Sequence, residues 1–194
     1  MKKITFTFLT IFLLSSMGCV TSEPENSEET EKETAVEREI LPLVVTSSSF
    51  TAGGPIPEMY CFNQNGHTGD NVSPQLSWTG APEGTHSFAI IMDDPSANNW
   101  SHWVLYNLPA HITSLEEGFN SMVTHGIEGK LSSGAMGYEG PYPPSGNHNY
   151  SIQVYALDSM LDLSASSASR YMVRYTMEGH VLAQGELLGT HAAH

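Results

Sequence analysis

Three places in this chain hold groups capable of proton or charge chemistry where turn formation alone does not call for them. Asp93 and Asp94 close the apolar run HSFAIIMD (86–93). His102 stands between Trp100 and Trp103 in WSHWVLYNLPA (100–110). His148 and Tyr150 sit where the Gly/Pro-rich segment GYEGPYPPSGNHNY (137–150) runs into the alternating SIQVYALD (151–158). A two-residue spacing at a strand start puts both of these side chains on one face. Adjacent carboxylates at the end of a buried strand are costly unless solvated, hydrogen-bonded or metal-bound. The short 94–100 loop can fold His102 back toward Asp94. With those strands as neighbours, Asp94, His102 and His148 converge at one end of a domain, where loops gather and sites are built.

Such a set supports two chemistries. Two imidazoles and a carboxylate are a recognised ligand set for a divalent metal, which would make a metal-dependent hydrolase or lyase. The same groups make an anion pocket. The carboxylate orients one imidazole, and both His donate to a phosphate-like group together with backbone N–H groups that a Gly/Pro-dense turn holds in fixed directions. Taken singly, each His is also explained by a local hydrogen bond. There is no Gly-x-Ser-x-Gly elbow, phosphate loop or dinucleotide fingerprint, so no cofactor is implied.

Charge narrows the choice. Residues 40–194 carry thirteen Asp and Glu against only Lys130, Arg170 and Arg174. An acidic domain of this kind is a poor partner for nucleic acid or for an anionic lipid surface approached through a basic patch. Any anion must be held by His and backbone donors. With two cysteines there is no disulfide framework, and Cys61, with no His or cation beside it in sequence, reads as a buried small hydrophobe.

The elements that must position these groups are short strands. LVVTSSSF (43–50), PQLSWTGAP (74–82), HSFAIIMD (86–93), WSHWVLYNLPA (100–110), NYSIQVYALD (149–158) and HVLAQGELLGT (180–190) are separated by Gly, Pro and polar turns. This pattern predicts an all-β sandwich or barrel. The run 86–93, continuously apolar at its centre, predicts a strand buried on both faces. In 100–110 strict alternation puts Trp100, His102, Val104 and Tyr106 on one face, and Trp103, Leu105 and Asn107 on the other. One helix is predicted over 165–178, capped by Ser166 or Ser167, with a core-facing stripe of Tyr171, Met172, Tyr175 and Met177.

Ahead of the domain, Lys2 and Lys3, the apolar run Ile4–Leu14 and small residues to position 18 have the layout of a signal peptide. The ending SMGC resembles a bacterial lipoprotein signal, in which Cys19 carries lipid and starts the mature chain; Ser16 stands where that signal usually has Leu. Residues 20–40 follow, with eight Glu against Lys32 and Arg38, and read as a disordered acidic tether. The expectation is an exported protein, lipid-anchored to the cell membrane or outer membrane, with the folded domain spanning 41–194.

The blocks IPEMYCF (56–62), DNVSPQLSW (70–78), DDPSA (93–97), WSHWVLYNLP (100–109), GYEGPYPPSGNHNYSIQVYALD (137–158) and MEGHVLAQGELLGT (177–190) occur in an order that resembles the phosphatidylethanolamine-binding protein family, its bacterial Raf kinase inhibitor-like branch above all. The resemblance implies an antiparallel Greek-key β-sandwich with one or two short helices and a small pocket at one end. It further implies that the pocket accepts phosphate, phosphorylated groups or phospholipid headgroups without catalysis, and that some members regulate kinases or proteases by binding them. Carried over by position, the pocket residues are Asp94, Pro95, Trp100, His102, Gly137, Gly140, Pro141, His148 and Tyr150, with Asp70 and Ser73 near the rim. Two departures bear on the rim: DPSAN has Ser96 and Asn98 where the family has an acid and a proline, and CFNQNGHTGDN (61–71) is longer than the family's link.

Overall fold

The computed structural model describes residues 39–124 and 126–194. The expected signal peptide, Cys19 and all but the last two residues of the acidic tether lie outside them. In chain order the elements are β1 (Leu41–Pro42), β2 (Val44–Thr46), β3 (Leu76–Thr79), β4 (Ser87–Asp94), β5 (Trp100–Pro109), β6 (Ser114–Leu115), α1 (Ser121–Thr124), β7 (Ile127–Glu128), β8 (Asn147–Leu157), α2 (Arg170–Thr176) and β9 (Val181–Ala192). Six strands form one sheet in the order β1-β9-β8-β4-β5-β7, and β2-β3-β6 form a second. All pairings are antiparallel except the two-residue edge pair β1–β9.

Both faces of the large sheet are covered. Phe88, Ile90 and Met92 of β4, Trp103 and Leu105 of β5, and Ile152 and Val154 of β8 pack against Val45, Leu76 and Trp78 from the small sheet. On the opposite face Ala89, Ile91, Val104, Tyr106 and Leu157 meet Val173 and Met177 at α2, with Leu161 and Ala168 from the preceding loop. Strand β4 is buried along its whole length, as its unbroken apolar run predicts.

Three expectations are corrected. The strand expected over 43–50 stops at Thr46, because Ser47 turns its hydroxyl onto Gln75 O (2.5 Å) and accepts the Ser49 N–H (3.0 Å), local bonds that compete with a ladder. The helix starts at Arg170 rather than 165, with Ser169 as its cap in place of Ser166 or Ser167. Of its expected stripe only Met177 is core: Tyr171, Met172 and Tyr175 are exposed, whereas Arg170 and Val173 face inward. The inward turn of Arg170 answers Asp93, which is buried and receives Arg174 at 3.1 Å and Arg170 at 3.5 Å. Burial pushes the Asp93 carboxyl up and the two guanidiniums pull it back. Two of the domain's three cations are thereby committed to the sheet face away from the loops at the β5 start.

Candidate functional site

Where β4 ends, the ladder to β5 slips. Met92 pairs with Trp103, but Asp93 pairs with Ser101 and Asp94 with Trp100, leaving His102 as the extra residue of a β-bulge. A bulge re-aims the side chains on either side of it. Strict alternation would leave His102 and Trp100 on the face of Val104 and Tyr106. Instead both turn toward Asp94, His148 and Tyr150, and the expected common face of Trp100, His102, Val104 and Tyr106 is split at the bulge.

These five residues line a cavity of about 210 Å³ together with Asn65, Ala97, Tyr142, Pro143 and Pro144. Asp94 is 2 % exposed and both its oxygens are engaged: Oδ1 accepts the Ala97 N–H at 3.1 Å and Oδ2 accepts His148 Nδ1–H at 2.6 Å. That pairing leaves Nε2 of His148 as its free ring nitrogen. His102 donates Nδ1–H to the carbonyls of Glu139 (2.8 Å) and Gly140 (3.1 Å). Because both partners are acceptors only, the proton sits on Nδ1 and Nε2 is an acceptor. Burial holds the His102 pKa below its ordinary value, with the two carbonyls and the charges of Asp94 and Glu139 pulling the other way. The Tyr150 ring packs edge-on against His102 at 5.2 Å between centroids. Its hydroxyl is buried with no hydrogen-bond partner among the described residues beyond a weak approach of the Tyr142 backbone. Burial and then the Asp94 charge push its pKa well up, so it is a standing donor.

The expected residues divide between lining and support. Pro95, Gly137, Gly140 and Pro141 do not line the cavity, and neither do Asp70, which is exposed, or Ser73, which is buried and accepts the Phe119 N–H at 2.8 Å. The turn 137–141 does not aim its N–H groups at the pocket. Glu139 N–H goes to His102 O and Gly140 N–H to Asn71 Oδ1, both at 2.9 Å, and the carbonyls of Glu139 and Gly140 are what the turn presents to His102. Gly137 stands at φ +95°, outside the range of L side chains, and a Cβ on Gly140 would lie 1.8 Å from Tyr60 O. These glycines shape the wall rather than touch its contents.

Both rim departures have a structural reason. Asn98 adopts φ 55°, which a proline ring cannot, and Ser96 Oγ accepts the Asn149 N–H at 3.0 Å, tying the loop to the start of β8. The enlarged 61–71 segment brings Asn65 to the cavity mouth, its Nδ2 donating to Tyr142 O at 3.0 Å. Asn65, Ala97, Tyr142, Pro143 and Pro144 were not among the expected lining residues. The length of 61–71 and the aromatic set among prolines at 141–144 were the available signals.

Asp94, His102 and His148 do not offer three free ligand atoms to one point: both Asp94 oxygens are engaged, by Ala97 N–H and His148 Nδ1–H, and only the Nε2 atoms of the two His remain open. Among the described residues, the one group whose ligand atoms converge closely enough for a metal ion is Glu58, Cys61, His67 and His191. The Cys61 thiol, which has no His beside it in sequence, lies 3.2 Å from His191 Nε2. Burial and the neighbouring Glu58 charge push this thiol up to about 12, so it is no exposed nucleophile.

The state of His102 sets a pH dependence. In the unfolded chain His102 takes a proton near its ordinary value of 6.5, and in the folded chain only at lower pH. Between those two values the unfolded state binds the extra proton, so this group's contribution is intact above 6.5 and is lost as pH falls toward the folded value. The slope is at most about 1.4 kcal/mol per pH unit. Urea unfolding between neutral and mildly acidic pH will show a shallower acid decline in His102→Gln than in the parent; identical slopes would contradict the assignment.

Comparison with known proteins places this geometry. Residues 46–192 match the family described as phosphatidylethanolamine-binding protein. A protein of Methanothermobacter thermautotrophicus is 42 % identical over 146 residues, covering 73 % of this chain and 93 % of its own length. YbhB of Escherichia coli is 37 % identical over 154 residues, covering 75 % and 97 %. Among solved structures, Escherichia coli YbcL superposes with a TM-score of 0.71 at 31 % identity, over 77 % of this chain and 98 % of the other.

Proposed function

The chain belongs to the phosphatidylethanolamine-binding protein family, and we propose that it is a non-catalytic binding domain whose cavity takes a small phosphorylated or headgroup-like anion. The observation that carries this reading is the Asp94–His148 pair at 2.6 Å beside the unpartnered Tyr150 hydroxyl, in a cavity of about 210 Å³. Pockets for drug-sized molecules take roughly 300–1,000 Å³, so this one suits a phosphoryl group with few attached atoms. A ligand oxygen would accept from Tyr150 Oη and from His148 Nε2, the latter as an imidazolium whose charge Asp94 offsets. His102 Nε2 is an acceptor, so the ligand must bring a hydrogen to that wall, as a singly protonated phosphate or the ammonium of an ethanolamine headgroup does. Among the described residues no Lys or Arg lines the cavity. A fully ionised phosphate would face Asp94 without a compensating cation, and the protonated form is preferred for that reason.

Calorimetric titration with inorganic phosphate and phosphoethanolamine tests the reading. Losing one charge-assisted bond is worth about 1.5–3 kcal/mol, more than about tenfold in Kd. His148→Ala will therefore weaken binding by at least that factor. Absent binding, or equal binding by the variant, would remove the proposal. The N-terminal pattern supports export and lipid attachment at Cys19, with residues 20–40 as the tether to a membrane surface. Membrane fractionation is the check: Cys19→Ala will move the chain to the soluble fraction, and an unchanged distribution would remove the anchor.

A further inference from the structure

A second cluster lies behind the 141–144 wall, at the junction of the 61–71 segment and the end of β9. His67 Nε2 faces Pro143 O at 3.3 Å, and His191 Nδ1 faces Ile56 O at 2.8 Å. Each carbonyl is an acceptor only, so each holds the ring proton on that outer nitrogen. The inner nitrogens, His67 Nδ1 and His191 Nε2, then meet lone pair to lone pair at 3.3 Å. Glu58 Oε2 adds a third acceptor, 3.5 Å from His67 Nδ1 and 3.2 Å from His191 Nε2, and Cys61 Sγ lies 3.2 Å from His191 Nε2. Three lone-pair atoms and a thiol thus converge on one point, a set that a cation would hold together, while His194 Nε2 meets Glu58 Oε2 at 2.9 Å from the exposed side.

The spacing fits one. Metal–ligand bonds of 2.0–2.3 Å in a tetrahedron put neighbouring ligand atoms about 3.3–3.8 Å apart. The four separations above are 3.2–3.5 Å, and all four ligand atoms lie within 4.8 Å of one another. Cys61 and His67 are buried, and Glu58, the most exposed of the four, gives an ion its way in. We propose that Glu58, Cys61, His67 and His191 form a structural site for a divalent transition metal, zinc by ligand type and geometry, that staples the 61–71 segment to β9. All four positions are protein atoms, which is the closed arrangement of a structural rather than a catalytic ion. On binding, Cys61 releases its thiol proton, and the charges of thiolate, carboxylate and ion sum to zero. The site is separate from the anion cavity and does not depend on what that cavity holds.

The test uses the full chain, stripped with a chelator and titrated with zinc alone and, in parallel, with cobalt. The expected result is uptake of one ion per chain, with a thiolate-to-cobalt charge-transfer band in the near ultraviolet. A rise in Tm of about 5–10 °C is expected at a hundredfold excess over Kd. Cys61→Ser, a near-isosteric change, will abolish the charge-transfer band. His67→Gln will weaken zinc binding at least about 100-fold, beyond the loss typical of an outer-sphere change. His148→Ala will bind zinc as the parent does, which separates the two sites. The proposal is overturned by no saturable uptake, by a cobalt complex without the thiolate band, or by His67→Gln and Cys61→Ser variants that are folded by circular dichroism and bind zinc as the parent does.

Discussion

Gly140→Ala will destabilise the domain by about 3 kcal/mol or more, a cost that falls in the tail of single substitutions. A Cβ there would meet Tyr60 O at 1.8 Å, Tyr60 C at 2.9 Å and Cys61 Cα at 3.0 Å. All three are backbone atoms, so no rotamer change relieves the contact, and either 139–141 or 60–61 must move. Five hydrogen bonds tie this turn to its surroundings: Gly140 N–H to Asn71, Tyr138 Oη–H to Tyr60 O, Phe62 N–H to Pro141 O, and His102 Nδ1–H to the Glu139 and Gly140 carbonyls. Displacing the turn therefore loosens His102 as well as the fold. Gly146→Ala is the matched control, because Gly146 has φ +71° but nothing within 4 Å of its Cβ position. Its cost is the left-handed backbone penalty alone, about 1–2 kcal/mol. Urea midpoints for the two variants decide the matter: equal losses would mean that the close approach to Tyr60 is not what requires glycine.

Asp94 carries the second large effect, and two substitutions separate its roles. Asp94→Ala removes a cap on Ala97, worth about 0.5–2 kcal/mol, and a charge-assisted bond to His148, worth about 1.5–3 kcal/mol. A loss near 3 kcal/mol is expected, together with at least tenfold weaker phosphate binding. Asp94→Asn keeps an oxygen for the Ala97 N–H, and its stability will fall by only about 1 kcal/mol. Its amide NH₂, however, confronts His148 Nδ1–H, so the ring must reverse its tautomer or rotate, and neither keeps Nε2 aimed at the cavity with a carboxylate behind the ring. Phosphate binding by Asp94→Asn will drop as far as in the alanine variant. Thermal melts and titrations on the pair read this directly, and an Asn variant that binds like the parent would show that Asp94 does not set the state of His148.

Much of the framework was legible because it is local. The burial of β4 follows from an unbroken apolar run, and His148 and Tyr150 share a wall because a strand repeats every two residues. Asp94 orienting one imidazole was also readable as a possibility from residue types alone, though not which imidazole. The helix was harder. Tyr171, Met172 and Tyr175 make an apolar stripe by composition, yet the inward position goes to Arg170, because a buried carboxylate on β4 needs a guanidinium more than the core needs another aromatic.

By itself, the sequence determined the all-β class, the strand order along the chain, the acidic character that denies the cavity a cationic side chain, and the family to which the chain belongs. The first three follow from periodicity, composition and turn residues, each of which is written over a few neighbouring positions; the family follows from the resemblance of the motif blocks in their order. Only the tertiary structure decided that His102 and Trp100 leave the face of Val104 and Tyr106, since a one-residue slip in the β4–β5 ladder has no signature in an alternating pattern. It likewise decided that the 137–141 turn gives His102 carbonyls rather than giving a ligand N–H groups. It also brought His191 to Cys61 across 130 residues of chain, a contact made by packing and not by spacing.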